Sequence, residues 1–315
     1  MSQALPLLEN AVYRLANHTF LQVAGPDASR FLQGQLSCDV QAITPEKSSL
    51  GSHNTPQGRM RSSFRILHNG ENSYLLRLHH SIAESALAGF GKYIVFSKAK
   101  ATTASNYTGI GLHGKNAAGV ITKLFGIAPD NDYQQLTKEQ CLLICTSAAI
   151  PAYEIYLPAA EADELWQQLS SLLPVGDANQ HRLVEHQLGL AFVEKESAEE
   201  FLPQLFNYQA TPAISFTKGC YTGQEIIART HYLGKLKKQL RHFTAMLEGE
   251  ITTGEAIHAG QSNKTIGNVI SAVKISESQV DLLAVVAESA NLQERLQLAC
   301  GTLENLQEVE LPYSL

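Results

Sequence analysis

The chain has 315 residues, of which 44% are hydrophobic and 17% charged, and its formal net charge is -6. This composition excludes a wholly disordered chain, and the length suits two or three domains of about 100–200 residues each. The net acidity argues against a generally basic nucleic-acid-binding protein. No apolar stretch reaches the roughly 18 residues of a membrane span. The N-terminal residues lack a secretory signal pattern, so we expect a cytoplasmic protein.

The predicted elements, in chain order, mix strands and helices over the first three quarters of the chain. Strands are predicted at 19–24, 60–67, 73–78, 93–98, 141–145 and 153–157, and helices at 29–36, 81–92, 115–125, 159–173 and 177–188. Asp27 is placed to cap the first helix, and Asn69-Gly70 predicts a type I′ hairpin turn.

The pattern changes after residue 238. Short apolar runs at 242–246, 266–273, 280–286 and 296–298 alternate with turn residues, which is typical of a small β-barrel. The sequence therefore predicts an α+β body at 1–238 and an all-β C-terminal domain at 239–315.

The five cysteines are scattered along the chain: Cys38, Cys141, Cys145, Cys220 and Cys300. Their odd number and their spacing exclude a disulfide scaffold. Cys141 and Cys145 fall on one face of a predicted strand, but no His or second Cys pair accompanies them, so no metal site is predicted.

The segment KGCYTGQE at 218–225 carries the most chemistry. Cys220 lies between glycines, where a partner can approach closely. Thr222 and Glu225 predict the capping box of a following helix. A helix N-terminus and the nearby Lys218 would both lower the pKa of the thiol, which favours a functional cysteine. The alternatives are an inert buried cysteine and a cysteine hydrolase, for which no histidine is visibly oriented.

Charge is unevenly distributed around this segment. Residues 218–241 contain six Lys or Arg and one acid, whereas residues 242–315 contain three Lys or Arg and ten acids. The basic stretch could therefore dock a partner protein or tRNA.

A second polar segment, GSHNTPQGRMR at 51–61, predicts a turn between two strands. Asn54 offers an amide edge, and Arg59 offers a guanidinium for an anion. By itself this pattern is equally typical of an ordinary polar hairpin loop.

These segments, in this order, resemble the YgfZ-type folate-binding proteins, a branch of the aminomethyltransferase superfamily. KGCYTGQE is the diagnostic motif of that branch, and FLQGQLSCDV at 31–40, FLPQLFNYQA at 201–210 and LPYSL at 311–315 are also similar. The resemblance covers nearly the whole chain. It implies an aminomethyltransferase-like fold in which two α/β subdomains surround a central folate pocket and a C-terminal β-barrel closes one side.

The resemblance also implies a ligand, tetrahydrofolate or a one-carbon-substituted folate, and the residues that serve it. Cys220 would be the functional thiol, and the folate-binding residues would be His18, Asn54, Arg59, His181, Lys218, Tyr221, Gln224 and Glu225. His18 and His181 stand where some members carry pocket tryptophans. Ser62-Ser63 replaces the Asp pair of true aminomethyltransferases, so glycine-cleavage chemistry is rejected and enzymatic turnover stays undecided.

The implied role is support for the maturation or repair of iron–sulfur enzymes and, through one of them, tRNA modification. Iron–sulfur enzymes or their assembly proteins would be the partners. With a pI of about 6.0, direct nucleic-acid contact is not expected. Two alternatives stay open: a folate-dependent one-carbon transferase acting on a substrate other than glycine, and a scaffold that docks its partner through residues 218–241.

Overall fold

Two five-stranded antiparallel sheets and a closed six-stranded barrel form the framework of the chain. The structure is a computed structural model that describes residues 7–260 and 264–315. It confirms the predicted α+β class with a C-terminal barrel.

The first sheet has the strand order β3-β4-β5-β2-β6 and the second has the order β1-β7-β10-β9-β8. Their strands are β1 (Ala11–Arg14), β2 (His18–Ala24), β3 (Ser49–Asn54), β4 (Met60–His68), β5 (Ser73–His79), β6 (Lys100–Thr103), β7 (Tyr107–His113), β8 (Gln135–Lys138), β9 (Cys141–Ser147) and β10 (Ala152–Pro158). The helices are α1 (Ala28–Gln35), α2 (Ala83–Ile94), α3 (Ala117–Phe125), α4 (Ala162–Ser170), α5 (Ala178–Gln187) and α6 (Gln224–Leu233).

The two faces of the second sheet bury their side chains in different cores. In β9, Leu142 and Ile144 belong to the central core shared with the first sheet. Cys141, Leu143 and Cys145 belong to the outer core beneath α3 and α4. This alternation follows from the two-residue period of a strand, and it places both cysteines on one face, as predicted.

The barrel consists of β11 (Lys238–Met246), β12 (Ala256–Ala259), β13 (Lys264–Lys274), β14 (Gln279–Ala287), β15 (Leu296–Leu298) and β16 (Gly301–Val309). The sequence analysis missed β12 and β16. Apolar side chains of β11, β13 and β14, including Leu240, Ile270 and Leu283, also join the central core. The barrel is therefore packed onto the body of the molecule.

Three local predictions within the first hundred residues were wrong. Residues 93–98 are not a strand, because α2 continues to Ile94 and the chain then turns. Asp27 does not cap α1 with its side chain, since its carboxylate accepts the backbone N–H of Lys98 at 2.7 Å. The turn at Asn69-Gly70 is not a two-residue type I′ turn, because the positive φ angles fall on Gly70 (101°) and Asn72 (53°).

Within residues 7–260 and 264–315, none of the helices is both long enough and apolar enough to cross a membrane.

Candidate functional site

A buried ionic cluster joins the two sheets at the centre of the body. Arg65 of β4 and Arg77 of β5 both contact Glu154 of β10, at 3.5 Å (Nε–Oε2) and 3.3 Å (Nη2–Oε1). The hydroxyl of Tyr156 donates a hydrogen bond to the same carboxylate. Burial alone would raise the pKa of Glu154, but the two guanidinium groups outweigh it and hold that pKa well below its usual range. Glu154 is therefore ionised.

Next to this cluster, α5 and β2 bring two of the predicted histidines together. The rings of His18 and His181 are 4.9 Å apart in an edge-to-face arrangement. Glu185, one helical turn after His181, has Oε1 at 3.6 Å from His181 Nε2, 3.9 Å from His18 Nε2 and 3.0 Å from Arg77 Nη1. Burial, together with the nearby Arg77, lowers the pKa of His18 well below its ordinary value, so this imidazole is neutral at pH 7.

Two small cavities open within this cluster. One, of about 20 Å³, is lined by residues that include His18, His79, His181 and Glu185. The other, of about 10 Å³, lies between Arg65, Arg77 and Glu154. Several buried nitrogen atoms here have no hydrogen-bond partner among the described residues, namely Arg65 Nη1, Arg77 Nε and His18 Nδ1. Because unpartnered buried donors are costly, their presence marks this cluster as a place for a polar ligand or water.

The segment 218–225 lies elsewhere and differs from its prediction. Helix α6 begins after Gly223, which has a φ of 84°, and no side chain caps it. The capping box of Thr222 and Glu225 was therefore wrong. Position 223 has no room for a side chain, since an added Cβ would lie 2.5 Å from the backbone oxygen of Thr55.

Lys218 anchors this segment to the body. Its Nζ donates to the backbone oxygens of Gln33, Leu36 and Cys38 at 2.7, 2.8 and 2.8 Å, and it lies 5.0 Å from the centre of the Tyr221 ring. An ammonium has three protons, so all of them are used by these carbonyls and none is left for Cys220. The thiol of Cys220 is exposed.

The remaining predicted residues are Asn54, Arg59, Gln224 and Glu225. Asn54 is buried and its Oδ1 accepts from Ser52 Oγ at 3.0 Å. Arg59 Nη1 donates to the backbone oxygens of Glu199 and Glu200 at 3.3 and 3.2 Å. Gln224 is half-buried and Glu225 is exposed on the first turn of α6.

The structure thus divides the predicted site residues into two groups. His18 and His181 line the central cavity, whereas Asn54, Arg59 and the residues of 218–225 line neither central cavity in the part of the chain that is described. The two polar segments do meet each other, because Gly58 packs against Gly223 and Ile226.

Sequence analysis missed the ionic residues of the cluster. A signal was present, since Arg65 and Arg77 each interrupt an apolar strand, in FRIL and LLRL, and Glu154 interrupts AYEIYL. A second signal was the His181-x-x-x-Glu185 spacing, which places both side chains on one helix face.

Two groups of side chains have the composition of a divalent-ion site among the described residues: His18, His181 and Glu185, and His186, His242 and Asp281. In the second group the carboxylate already accepts hydrogen bonds from both histidines. The first group opens on a cavity and is the better candidate donor set.

The fold is that of an aminomethyltransferase. A glycine cleavage system aminomethyltransferase T from Bartonella henselae superposes with a TM-score of 0.74, covering 96% of this chain and 86% of that one at 14% identity. No family model matches the sequence.

Curated relatives define the family more narrowly. The tRNA-modifying protein YgfZ of Edwardsiella ictaluri is 30% identical over 317 residues, covering 99% of this chain and 94% of the relative. That of Serratia proteamaculans is 29% identical over 321 residues, covering 100% and 94%. The chain belongs to the family of the tRNA-modifying protein YgfZ.

Proposed function

We propose that this chain binds tetrahydrofolate, or a one-carbon-substituted folate, and serves tRNA modification by supporting the maturation or repair of an iron–sulfur enzyme. The observation that carries the proposal is the buried Arg65–Glu154–Arg77 cluster with its unpartnered donors, set between the two sheets of an aminomethyltransferase fold. The printed name of the curated relatives supports the link to tRNA modification.

The chemistry of this cluster suits a reduced pterin. A pterin edge alternates donors and acceptors, which Glu154, Glu185 and the free guanidinium protons can pair. Arg14 and Arg182 line the neighbouring cavity beside His18 and His181, where they pair with Asp163 and Glu194 at 2.7 and 3.0 Å. An anionic glutamate tail would compete with these acids for the two guanidinium groups.

The present space is too small for such a ligand. Cavities of about 20 and 10 Å³ each hold roughly one water molecule. Binding therefore requires the side chains around the cavity to move apart.

Cys220 would act separately from the folate pocket. Its thiol is exposed on a loop that Lys218 ties to the body, so a partner can reach it without unfolding the protein. We assign it to contact with the iron–sulfur partner rather than with folate.

The two alternatives have less support. A one-carbon transferase needs an acid–base group at the position that Ser62 and Ser63 occupy. Both serines are fully buried, and Ser63 Oγ accepts a hydrogen bond from the backbone N–H of Val193. A docking surface at 218–241 is weakened because Lys218 is bound to carbonyls, Lys235 pairs with Glu288 and Arg241 pairs with Glu308.

Calorimetric titration with tetrahydrofolate tests the pocket. We expect saturable binding with one site per chain, weakened at least tenfold in His181→Ala and unchanged in His231→Ala, an exposed histidine of α6. Absence of saturable binding to the wild-type protein would overturn the folate assignment.

Iron–sulfur enzyme activity in a deletion strain tests the thiol, and full complementation by Cys220→Ala would remove its role.

A further inference from the structure

A serine, a histidine and an aspartate form a continuous hydrogen-bonded relay where the barrel meets α5. Ser271 Oγ of β13 lies 2.7 Å from His186 Nε2, and His186 Nδ1 lies 2.6 Å from Asp281 Oδ1 of β14. When Nδ1 carries the ring proton, Nε2 is free to accept the proton of the serine hydroxyl. This is the order of contacts that activates a nucleophilic serine, and such a relay is recognised by geometry rather than by sequence position.

The aspartate of the relay is itself held in place. His242 Nε2 of β11 lies 2.9 Å from Asp281 Oδ1 and 3.0 Å from Oδ2. His186 is fully buried and Asp281 is nearly so. Because both side chains are fixed by packing and hydrogen bonds, the imidazole has one orientation, with Nε2 towards the serine.

Ser271 also has the placement that a nucleophile requires. The pairing of β13 with β14 shifts register between Val269 and Ser271, and such bulges turn a side chain away from its regular direction. Ser271 lines the cavity of about 20 Å³ together with Arg182, Leu190, Ala191 and Phe192. Ser271 thus lies at the edge of this small cavity, with its hydroxyl on His186.

We propose that Ser271 is the nucleophile of an acyl-transfer site, with His186 as its general base and Asp281 as the residue that positions His186. The cavity of about 20 Å³ beside Ser271 leaves space only for a very small group, so a formyl or acetyl group on an ester or amide is the substrate class, and the side chains around the cavity must move apart to admit it. This activity does not depend on folate binding.

The reaction balances with water as the only co-reactant. Ser271 Oγ attacks the carbonyl carbon while its proton moves to His186 Nε2, and the bond to the leaving oxygen or nitrogen breaks as that proton passes to it. Water, deprotonated by the same nitrogen, then attacks the acyl carbon, the bond between that carbon and Ser271 Oγ breaks, and the proton returns from His186 to Ser271 Oγ as the acid leaves. Arg182 lies on the wall of the cavity, where it pairs with Glu194 at 3.0 Å.

The test uses the full chain and two probes, a fluorophosphonate and p-nitrophenyl acetate, with peptide mapping of the modified residue. We expect one adduct per chain, on Ser271, and none in Ser271→Ala. His186→Gln should slow the labelling at least a hundredfold. The matched control is Ser276→Ala, in the turn between β13 and β14, where the hydroxyl accepts only a backbone N–H, and it should react like the wild type.

Thermal unfolding of each variant establishes that it is folded. Two results would overturn the proposal. One is the absence of an adduct on Ser271 in the folded wild-type protein. The other is labelling of Ser271 at the wild-type rate in folded His186→Gln, which would show that the relay only holds the barrel against α5.

Discussion

Arg65 and Arg77 are direct register partners on adjacent strands of the first sheet, and both are at most 1% exposed. Like charges in opposed positions destabilise a sheet. Here Glu154 from the second sheet lies within 3.5 Å of one guanidinium and 3.3 Å of the other. The carboxylate offsets the repulsion and at the same time connects the two sheets around the candidate site.

Replacing Glu154 with Gln should therefore strongly destabilise the fold. The substitution removes the carboxylate that faces the buried Arg65 and leaves Arg77 with Glu185 alone, and loss of one partner of a buried ion pair costs about 3–5 kcal/mol. Urea unfolding at pH 7 measures the change in the free energy of unfolding.

The matched control for this variant is Glu164→Gln on the exposed face of α4, where we expect a change within about 0.5 kcal/mol. Equal stability of the two variants would show that the cluster does not hold the sheets together.

The two glycines that flank Cys220 should respond differently to alanine. At Gly223 the positive φ and the contact with Thr55 O leave no room for a Cβ, whereas an added Cβ at Gly219 meets nothing within 4 Å. We expect Gly223→Ala to lose about 1–3 kcal/mol of unfolding free energy. Gly219→Ala should be nearly neutral, and a comparable loss in both, measured by thermal or urea unfolding, would contradict the structure of this loop.

Lys218 should act as a structural anchor. Lys218→Met removes the donor from the carbonyls of Gln33, Leu36 and Cys38, so we expect a loss of about 2–4 kcal/mol in urea unfolding. Lys235→Met is the control, because its side chain is 81% exposed and, among the described residues, its ammonium pairs with Glu288. A stable Lys218→Met protein with weakened folate binding would instead favour a ligand role for this lysine.

Thiol reactivity should single out Cys220. Cys220 is exposed, whereas Cys38, Cys141 and Cys145 are buried and Cys300 is half-buried. Burial also raises the pKa of Cys38 to about 12, which keeps that thiol protonated and inert. We expect one rapidly reacting equivalent with a disulfide reagent under native conditions, absent in Cys220→Ser. A fast equivalent that persists in Cys220→Ser would contradict the exposure pattern.

His53 should make the fold sensitive to mild acid. Burial, with Arg61 and Lys92 nearby, lowers its pKa from 6.5 to about 3. The unfolded chain therefore binds a proton that the folded chain does not, and stability falls as the pH drops from 6.5 towards 3. In His53→Phe, which can keep the stacking on Phe90, this dependence should be smaller by about 1.4 kcal/mol per pH unit. Parallel pH profiles of the two proteins would refute this prediction.

Local sequence patterns were sufficient for most of the elements. The strands that became β2, β4, β5, β9 and β10 and the helix ending at Gly126 were predicted within a few residues, because side-chain period and a left-handed glycine cap are local properties. The predicted capping box failed, since the N-terminus of α6 is determined by the packing of Gly223 against Thr55 and Gly58.

The sequence by itself determined the α+β class, the change to a barrel near residue 238 and the resemblance carried by the segment around Cys220. Only the tertiary structure decided that His18 and His181 line a cavity that Cys220 does not reach, and that the Lys218 ammonium donates to backbone carbonyls. It alone also joined Arg65, Arg77 and Glu154, and Ser271, His186 and Asp281. The physical reason is that burial and pairing of polar groups depend on strand register and sheet packing between distant segments, which no local period encodes.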